Sequence, residues 1–290
     1  MSILDAVARH LPPGYSIQGQ LGTGATSWVY VARHERADAP PLAVKVMHPG
    51  FMKDADVVDR FAREMQILRT LDHPRIVPML EPGEADGTLF FTMPYVDGET
   101  LRVVMQREGQ LPLRTALSLA RDIAEALGHA HGRGVVHRDI KPENVLVADG
   151  RAFLLDFGFA NAPSLTTHHV TSEESRLTIG TPAYMSPEQV TGKRAEDWRC
   201  DFFSLACVLQ EMLCGRPPFS GGSPRAVMER RTTDAPEDLR TLCPDVPIEV
   251  VTLVRRNLAI SPNDRFATAG MLHMALAAAL ERLDEQPAVA

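Results

Sequence analysis

The octapeptide His137-Arg138-Asp139-Ile140-Lys141-Pro142-Glu143-Asn144 constrains this chain more than any other stretch. It brings a potential base, a cation and a metal-binding amide into one short segment. Val135-Val136 precede it and Val145-Leu146-Val147 follow, so the pattern predicts a loop held between two short buried strands. Asp139 can accept a proton from a hydroxyl. Lys141 can sit against a phosphoryl group in transit, and Asn144 can bind a metal through its amide oxygen.

A chain of 290 residues can hold one large domain or two lobes around a cleft. Hydrophobic residues at 44% and charged residues at 23% are ordinary globular values, which excludes a disordered chain. A net charge of −7, with no basic run, argues against nucleic-acid binding. Of the four cysteines, Cys200, Cys207 and Cys214 are spaced seven apart, which on one helix separates successive sulfurs by roughly 10 Å. That spacing suits neither a disulfide nor a shared metal, so buried thiols in a reducing cytosol are expected. Met1 to His10 lacks a signal-peptide core, and the apolar stretch Phe202 to Cys214 is too short for a membrane span and is broken by Gln210 and Glu211. A cytoplasmic location is expected, and it would equally suit the cytosolic part of a longer, membrane-anchored protein.

Tyr15 to Ala32 predicts two strands around the glycine turn Leu21-Gly22-Thr23-Gly24-Ala25-Thr26-Ser27-Trp28-Val29. Glycines let backbone N–H groups approach phosphates closely, although a plain hairpin explains this stretch equally well on its own. Leu42 to Val46 is an apolar strand interrupted by Lys45, which alone reads as either a solvated strand-face lysine or a buried one. Asp54 to Leu71 predicts a helix with the stripe Val57, Phe61, Met65, Leu68 and Leu71, and Glu64 lies beside that stripe, where a carboxylate needs a partner. Phe90 to Gly98 is a strand ending in a connector, and Pro112 to His131 is an amphipathic helix. After the octapeptide come a hairpin turning on Asp149-Gly150 and a strand, Ala152 to Leu155, that delivers Asp156-Phe157-Gly158. Phe159 to Ile179 has loop composition, and His168-His169 within it reads as a solvated pair. Asp197 to Cys214 predicts a helix buried on nearly all sides, and Thr268 to Leu283 the last helix.

In this order the motifs resemble the eukaryotic-like protein kinases, and among them the bacterial serine/threonine kinases. The octapeptide matches the catalytic loop H-R-D-x-x-x-x-N, Asp156-Phe157-Gly158 matches D-F-G, and Gly180 to Glu188 matches the end of an activation segment. The resemblance covers about residues 15 to 283. It implies an α+β, two-lobed protein kinase fold, with a small antiparallel-β N-lobe carrying one helix and a larger, mainly α-helical C-lobe. The expected division is an extension over 1–14, the N-lobe over 15–96, the C-lobe over 97–283 and a frayed tail over 284–290.

The same resemblance implies ATP and Mg²⁺ as cofactors. ATP-contacting positions would be Leu21, Gly22, Thr23, Gly24, Ala25, Val29, Ala43, Lys45, Met93, Tyr95, Val96 and Leu146. Within that set Met93 is the gatekeeper and Tyr95-Val96 the hinge; Lys45 pairs with Glu64 and holds the α/β-phosphates. Asn144 and Asp156 would hold the metal, Lys141 would steady the γ-phosphoryl, and Asp139 would take the proton of an incoming Ser or Thr hydroxyl. Arg138, Thr171, Thr178, Thr181 and Glu188 belong to activation-segment control, while Asp201 and Arg265 are structural, Arg265 pairing with Glu188. Two departures from the family pattern stand out. Ser27 replaces the third glycine, which implies a stiffer lid, and Pro94 replaces a glutamate at the hinge.

The expected partners are protein substrates, a protein acceptor being favoured over a small molecule by the Gly180 to Glu188 segment, with a transient homodimer for autophosphorylation in trans. The alternative is an ATP-binding pseudokinase scaffold, whose usual sign is a lost Lys, Asp or Asn. None is lost here.

Overall fold

The computed structural model describes residues 3–24, 26–157, 182–192, 197–221 and 223–285. They fall into two compact units, one running to Asp97 and including the segment that begins at Asp156, the other holding Gly98–Leu155 and the rest.

The first unit is built on a five-stranded antiparallel sheet in the order β1-β2-β3-β5-β4. Its strands are β1 (Tyr15–Thr23), β2 (Ser27–His34), β3 (Leu42–Met47), β4 (Pro82–Ala85) and β5 (Thr88–Pro94). Every residue of β3 is buried. Alternation along the strand explains how: Leu42, Val44 and Val46 join one core with Tyr30, Ala32 and Phe90, and the intervening residues, Lys45 among them, face the other side. The register of β1 on β2 shifts between Ile17 and Gly19 and again between Gln20 and Gly22, so the glycine stretch is bulged.

Helix α1 (Ile3–Ala8) lies within the stretch expected as an extension over 1–14. Its Ala6 and Val7 are 0% exposed and belong to the same core as Val44 and Val46. A longer helix follows β3. This helix, α2 (Ala55–Leu68), starts where the Asp54 carboxylate accepts from Asp56 N and Val57 N. Its buried face holds Val57, Phe61, Glu64, Ile67 and Leu68, with Ile67 taking the place expected of Met65. Leu71 is buried beyond the helix end.

The second unit begins at Gly98, where an added Cβ would lie 2.4 Å from Val147 O, so only glycine lets the chain pass. Strands β6 (Glu99–Thr100), β7 (Val145–Ala148) and β8 (Arg151–Leu154) form a three-stranded sheet. The β7–β8 turn is Asp149-Gly150, both at positive φ (49° and 69°), as a tight hairpin requires. Helices α3 (Leu101–Glu108), α4 (Leu113–Gly132), α5 (Pro187–Thr191) and α6 (Arg199–Cys214) follow in chain order. The last four are α7 (Pro224–Thr233), α8 (Leu239–Leu242), α9 (Ile248–Asn257) and α10 (Ala269–Glu285). Helix α6 is buried at every residue from Cys200 to Leu213, as its all-round apolar pattern requires, and it packs on α4 and α9. Val135-Val136 form no strand. Helix α4 ends in a turn where Val135 N donates to Ala130 O at 3.0 Å, and the chain enters the octapeptide directly.

Candidate active site

The octapeptide is fixed from below by α6. Asp201 is 0% exposed and accepts from His137 N at 3.0 Å, Arg138 N at 2.7 Å and His131 Nε2 at 2.8 Å. Burial alone would push this carboxyl up, but its hydrogen bond from His131, the nearby imidazole rings and the Arg138 amide outweigh burial and hold it below its ordinary value. The anchorage has a second consequence. Arg138 sits at φ 64°, a left-handed conformation that costs a non-glycine residue of order 1–3 kcal/mol, and Asp201 grips its amide.

Because the folded-state pKa of Asp201 is depressed, its stabilisation is complete above the ordinary carboxylate value of 3.8 and is lost as pH falls through the folded value. Asp201→Asn should lower stability at pH 7 by ~2–3 kcal/mol, since hydrogen bonds to a buried charge are lost. It should also flatten the acid limb of the stability curve in urea melts below about pH 4, where the wild type loses this contribution. An acid limb identical to wild type would remove Asp201 from this role.

His137, also 0% exposed, accepts from Asp139 N on Nδ1 at 3.3 Å. Nε2 is then the protonated nitrogen, and it lies 2.9 Å from Leu155 O, to which it donates. Asp139 presents Oδ2 to Lys141 Nζ at 2.6 Å and to Asn144 Nδ2 at 2.9 Å. Asn144 Nδ2 also donates to Asp139 O at 2.8 Å. The amide nitrogen is thereby engaged, which leaves the oxygen, the hard ligand type that Mg²⁺ takes. Leu155 N, one residue before Asp156, donates to Asn144 O at 2.9 Å.

In the first unit Lys45 Nζ lies 2.6 and 2.8 Å from the two Glu64 oxygens and 3.4 Å from Asp156 Oδ1. Burial pushes the Lys45 ammonium down, but the carboxylates of Asp156 and Glu64 outweigh it and keep the charge. Burial pushes Glu64 up, to about 7, against the pull of Lys45. Asp156 has φ 59°, a second strained non-glycine backbone at a chemical position. Ladder pairing sets Val29 opposite Lys45 and Ala43 opposite Met93, and Gly22 opposite Val29. Leu21, Gly22, Thr23 and Gly24 are exposed, whereas Ala43 is buried and Val29, Met93, Tyr95 and Val96 are half-buried. Leu146 lies in the other unit, on β7 opposite Phe153. Tyr95 N donates to Pro41 O at 3.2 Å, so of the hinge pair Val96 is the one whose N–H can serve a ligand. Ser27 is buried within β2, opposite Met47, and its carbonyl accepts from Gly24 N at 2.8 Å, which closes the glycine turn. Ala25, Thr171, Thr178 and Thr181 lie outside the described residues.

Glu188, on α5, and Arg265 make a two-pronged ion pair at 2.6 and 2.8 Å. Arg265 further donates to Ala259 O, Arg199 O and Ile260 O, and its guanidinium lies 5.1 Å from the Phe203 ring centroid. Gln189 Nε2 donates to Arg138 O at 2.9 Å, tying this helix to the octapeptide.

One cluster escaped the sequence reading. Arg102 on α3 donates to Glu143 at 2.7 Å, to Glu211 at 2.8 Å and to Tyr184 OH, whose own proton goes to Glu211. The signal was Glu211 itself, taken above only as a break in an apolar run. A carboxylate in a buried helix demands a partner.

The second unit thus presents Asp139, Lys141 and Asn144, and the first a buried Lys45–Glu64 pair beside Asp156. The sequence matches the protein kinase domain across residues 15–276, and the chain belongs to that family. It is 38% identical over 266 residues to the serine/threonine-protein kinase PknB of Mycolicibacterium smegmatis, covering 90% of this chain and 42% of that protein. Identity to PknB of Mycobacterium tuberculosis is 36% over 265 residues, with the same coverage of 90% and 42%. The chain thus spans less than half the length of these relatives. The crystal structure of the Mycobacterium tuberculosis PknI kinase domain superposes with a TM-score of 0.68 at 30% identity, covering 92% of this chain and 96% of that one. These relatives set the chain among bacterial-type serine/threonine kinase catalytic domains. Among the described residues, no helix is long and apolar enough to cross a membrane.

Proposed function

We propose that this chain transfers the γ-phosphoryl of Mg-ATP to Ser and Thr hydroxyls of proteins, its own activation segment included, and that residues 15–283 act as one catalytic domain. The observation that carries the reading is Asp139, held by Lys141 and Asn144 on a loop whose backbone is clamped by a buried Asp201. Asp139 orients the acceptor hydroxyl and takes its proton, and Lys141 faces the γ-phosphoryl oxygens. Lys45, kept cationic by Glu64 and Asp156, neutralises the α/β-phosphates. The oxygens of Asn144 and Asp156 would hold Mg²⁺, which when bound neutralises phosphate charge. The exposed glycine turn covers the phosphates, and Val96 N–H reads the adenine. Glu188 anchors the activation segment through Arg265, and a phosphate on Thr171 or Thr178 would meet Arg138; Thr181 belongs to the same segment. A cytoplasmic location suits ATP as donor. Incubation with γ-labelled ATP, Mg²⁺ and a generic basic protein tests the reading. Label on phosphoserine and phosphothreonine is expected; label on phosphotyrosine, or on nothing, would overturn it.

The control of the enzyme follows from charge. Arg60 is a second cation for an activation-loop phosphate, but the position five residues after Asp156, where the family commonly supplies a third, is Asn161. Glu173-Glu174 put fixed negative charge into that loop, and we propose that they partly replace phosphate. Phosphatase treatment should leave most of the activity, and Glu173→Gln/Glu174→Gln should reduce it. Complete loss on dephosphorylation with an unaffected double variant would contradict this.

A further inference from the structure

Two of the four cysteines meet across the fold. Cys214 is the last residue of α6 and Cys243 follows α8 as its C-cap, and their sulfurs lie 3.2 Å apart. Cys243 Sγ also donates to Leu213 O at 3.3 Å, which holds it over the end of α6. Both residues are half-buried, whereas Cys200 and Cys207 are 0% exposed. Only the first pair is open to a small solute. Burial, with the adjoining Cys243, pushes the Cys214 thiol up to about 12, and burial does the same to Cys207.

The pair brackets a segment with a mechanical connection to the active site. Between the two cysteines lies α7, and on it Arg231, which is 0% exposed. Its Nη1 donates to Met185 O, and its guanidinium lies 5.3 Å from the Phe219 ring centroid and 5.9 Å from that of Phe203. Its Nε and Nη2 are buried without a hydrogen-bond partner. No carboxylate among the described residues pairs with it, so packing of α7, not charge, keeps it under Met185. Met185 in turn leads into Ser186 and Gln189, whose side chain holds Arg138 O.

We propose that Cys214 and Cys243 are a reversible thiol-modification site, oxidised by peroxide to a disulfide that clamps the α7–α8 segment onto the end of α6. One thiol gives up its proton and its sulfur attacks one oxygen of hydrogen peroxide; the S–O bond forms, the O–O bond breaks, and hydroxide leaves with that proton as one water, giving a sulfenic acid. The second thiol attacks that sulfur, the S–S bond forms, the S–O bond breaks, and the oxygen leaves as a second water with the thiol proton. The two thiols are oxidised by two electrons and one peroxide is reduced. A low-molecular-weight thiol reverses the step, two of its molecules being oxidised to their disulfide. Closing the bond requires the sulfurs to approach from 3.2 Å to a bond length of about 2.0 Å.

The experiment treats the protein with a small excess of hydrogen peroxide, blocks remaining thiols and maps peptides without reduction. A Cys214–Cys243 cross-linked peptide should dominate, with Cys200 and Cys207 blocked only after denaturation. The oxidised protein should melt about 5 °C higher, and reductant should reverse the shift, because the cross-link restricts the unfolded chain. Amide exchange over Tyr184 to Gln189 should slow on oxidation. Cys214→Ser and Cys243→Ser, each close to isosteric, should both lose the cross-link and the melting shift. None of these readouts needs kinase activity, so they stand apart from the proposed reaction. Single sulfinic acids in place of the cross-link would overturn the site. A cross-link that changes neither melting nor exchange at Tyr184 to Gln189 would overturn the clamp.

Discussion

Replacing Asp139 with asparagine is expected to leave Mg-ATP binding intact and to cut phosphoryl transfer by ~10²–10⁴-fold. The side chain keeps its shape, and an amide oxygen can still accept from Lys141 and Asn144, which now meet Oδ2 at 2.6 and 2.9 Å. What is lost is the negative charge that orients the acceptor hydroxyl and takes its proton. The groups proposed to hold the nucleotide, Lys45 and Asp156 among them, keep their charge in this variant, so affinity for ATP should not follow activity down. Calorimetric titration with Mg-ATP and a phosphotransfer assay on the same preparation separate the two. Near wild-type transfer by the variant would remove Asp139 as the base.

The second large effect is on stability. Arg265→Ala should destabilise the fold by ~3–5 kcal/mol, because removing one member of a buried ion pair strands the other. Arg265 is 0% exposed on its side chain and Glu188 6%, so water does not replace the lost partner. The melting temperature should fall by roughly 10 °C, and the protein should become poorly soluble. Replacing both residues together, Glu188→Gln with Arg265→Met, should cost less than Arg265→Ala alone, since no bare charge then remains buried. Equal melting curves for wild type and Arg265→Ala would contradict the energetic role of the pair.

Much of the site was legible because chemistry at these positions violates the surrounding pattern. Glu64 beside an apolar helical stripe demanded a partner, whereas Lys45 alone read as either solvated or buried; the resemblance matched the two, and they pair. Glu188 and Arg265, 77 residues apart, were matched by motif and meet in a buried pair. Features without such a violation stayed hidden. Helix α1 spans six residues, too few to show a helical period, and only its packing on the sheet core buries Ala6 and Val7. Val135-Val136 looked like a strand through β-branching, yet among the described residues neither pairs in a ladder. Spacing along one helix separated Cys200, Cys207 and Cys214 correctly but could not show that Cys243 returns to Cys214 from another element. The Arg102 cluster joins α3, the octapeptide, Tyr184 and α6, four places that only the tertiary fold brings together.

The central claim is that the chain is a working phosphotransferase whose base is Asp139. Its most direct test is intact-mass spectrometry of wild type and Asp139→Asn after equal incubation with Mg-ATP, beginning from phosphatase-treated protein. The account predicts whole phosphoryl increments on serine and threonine of the wild type and none on the variant, although both bind nucleotide. Increments on both proteins, or on neither while both bind Mg-ATP, would contradict it.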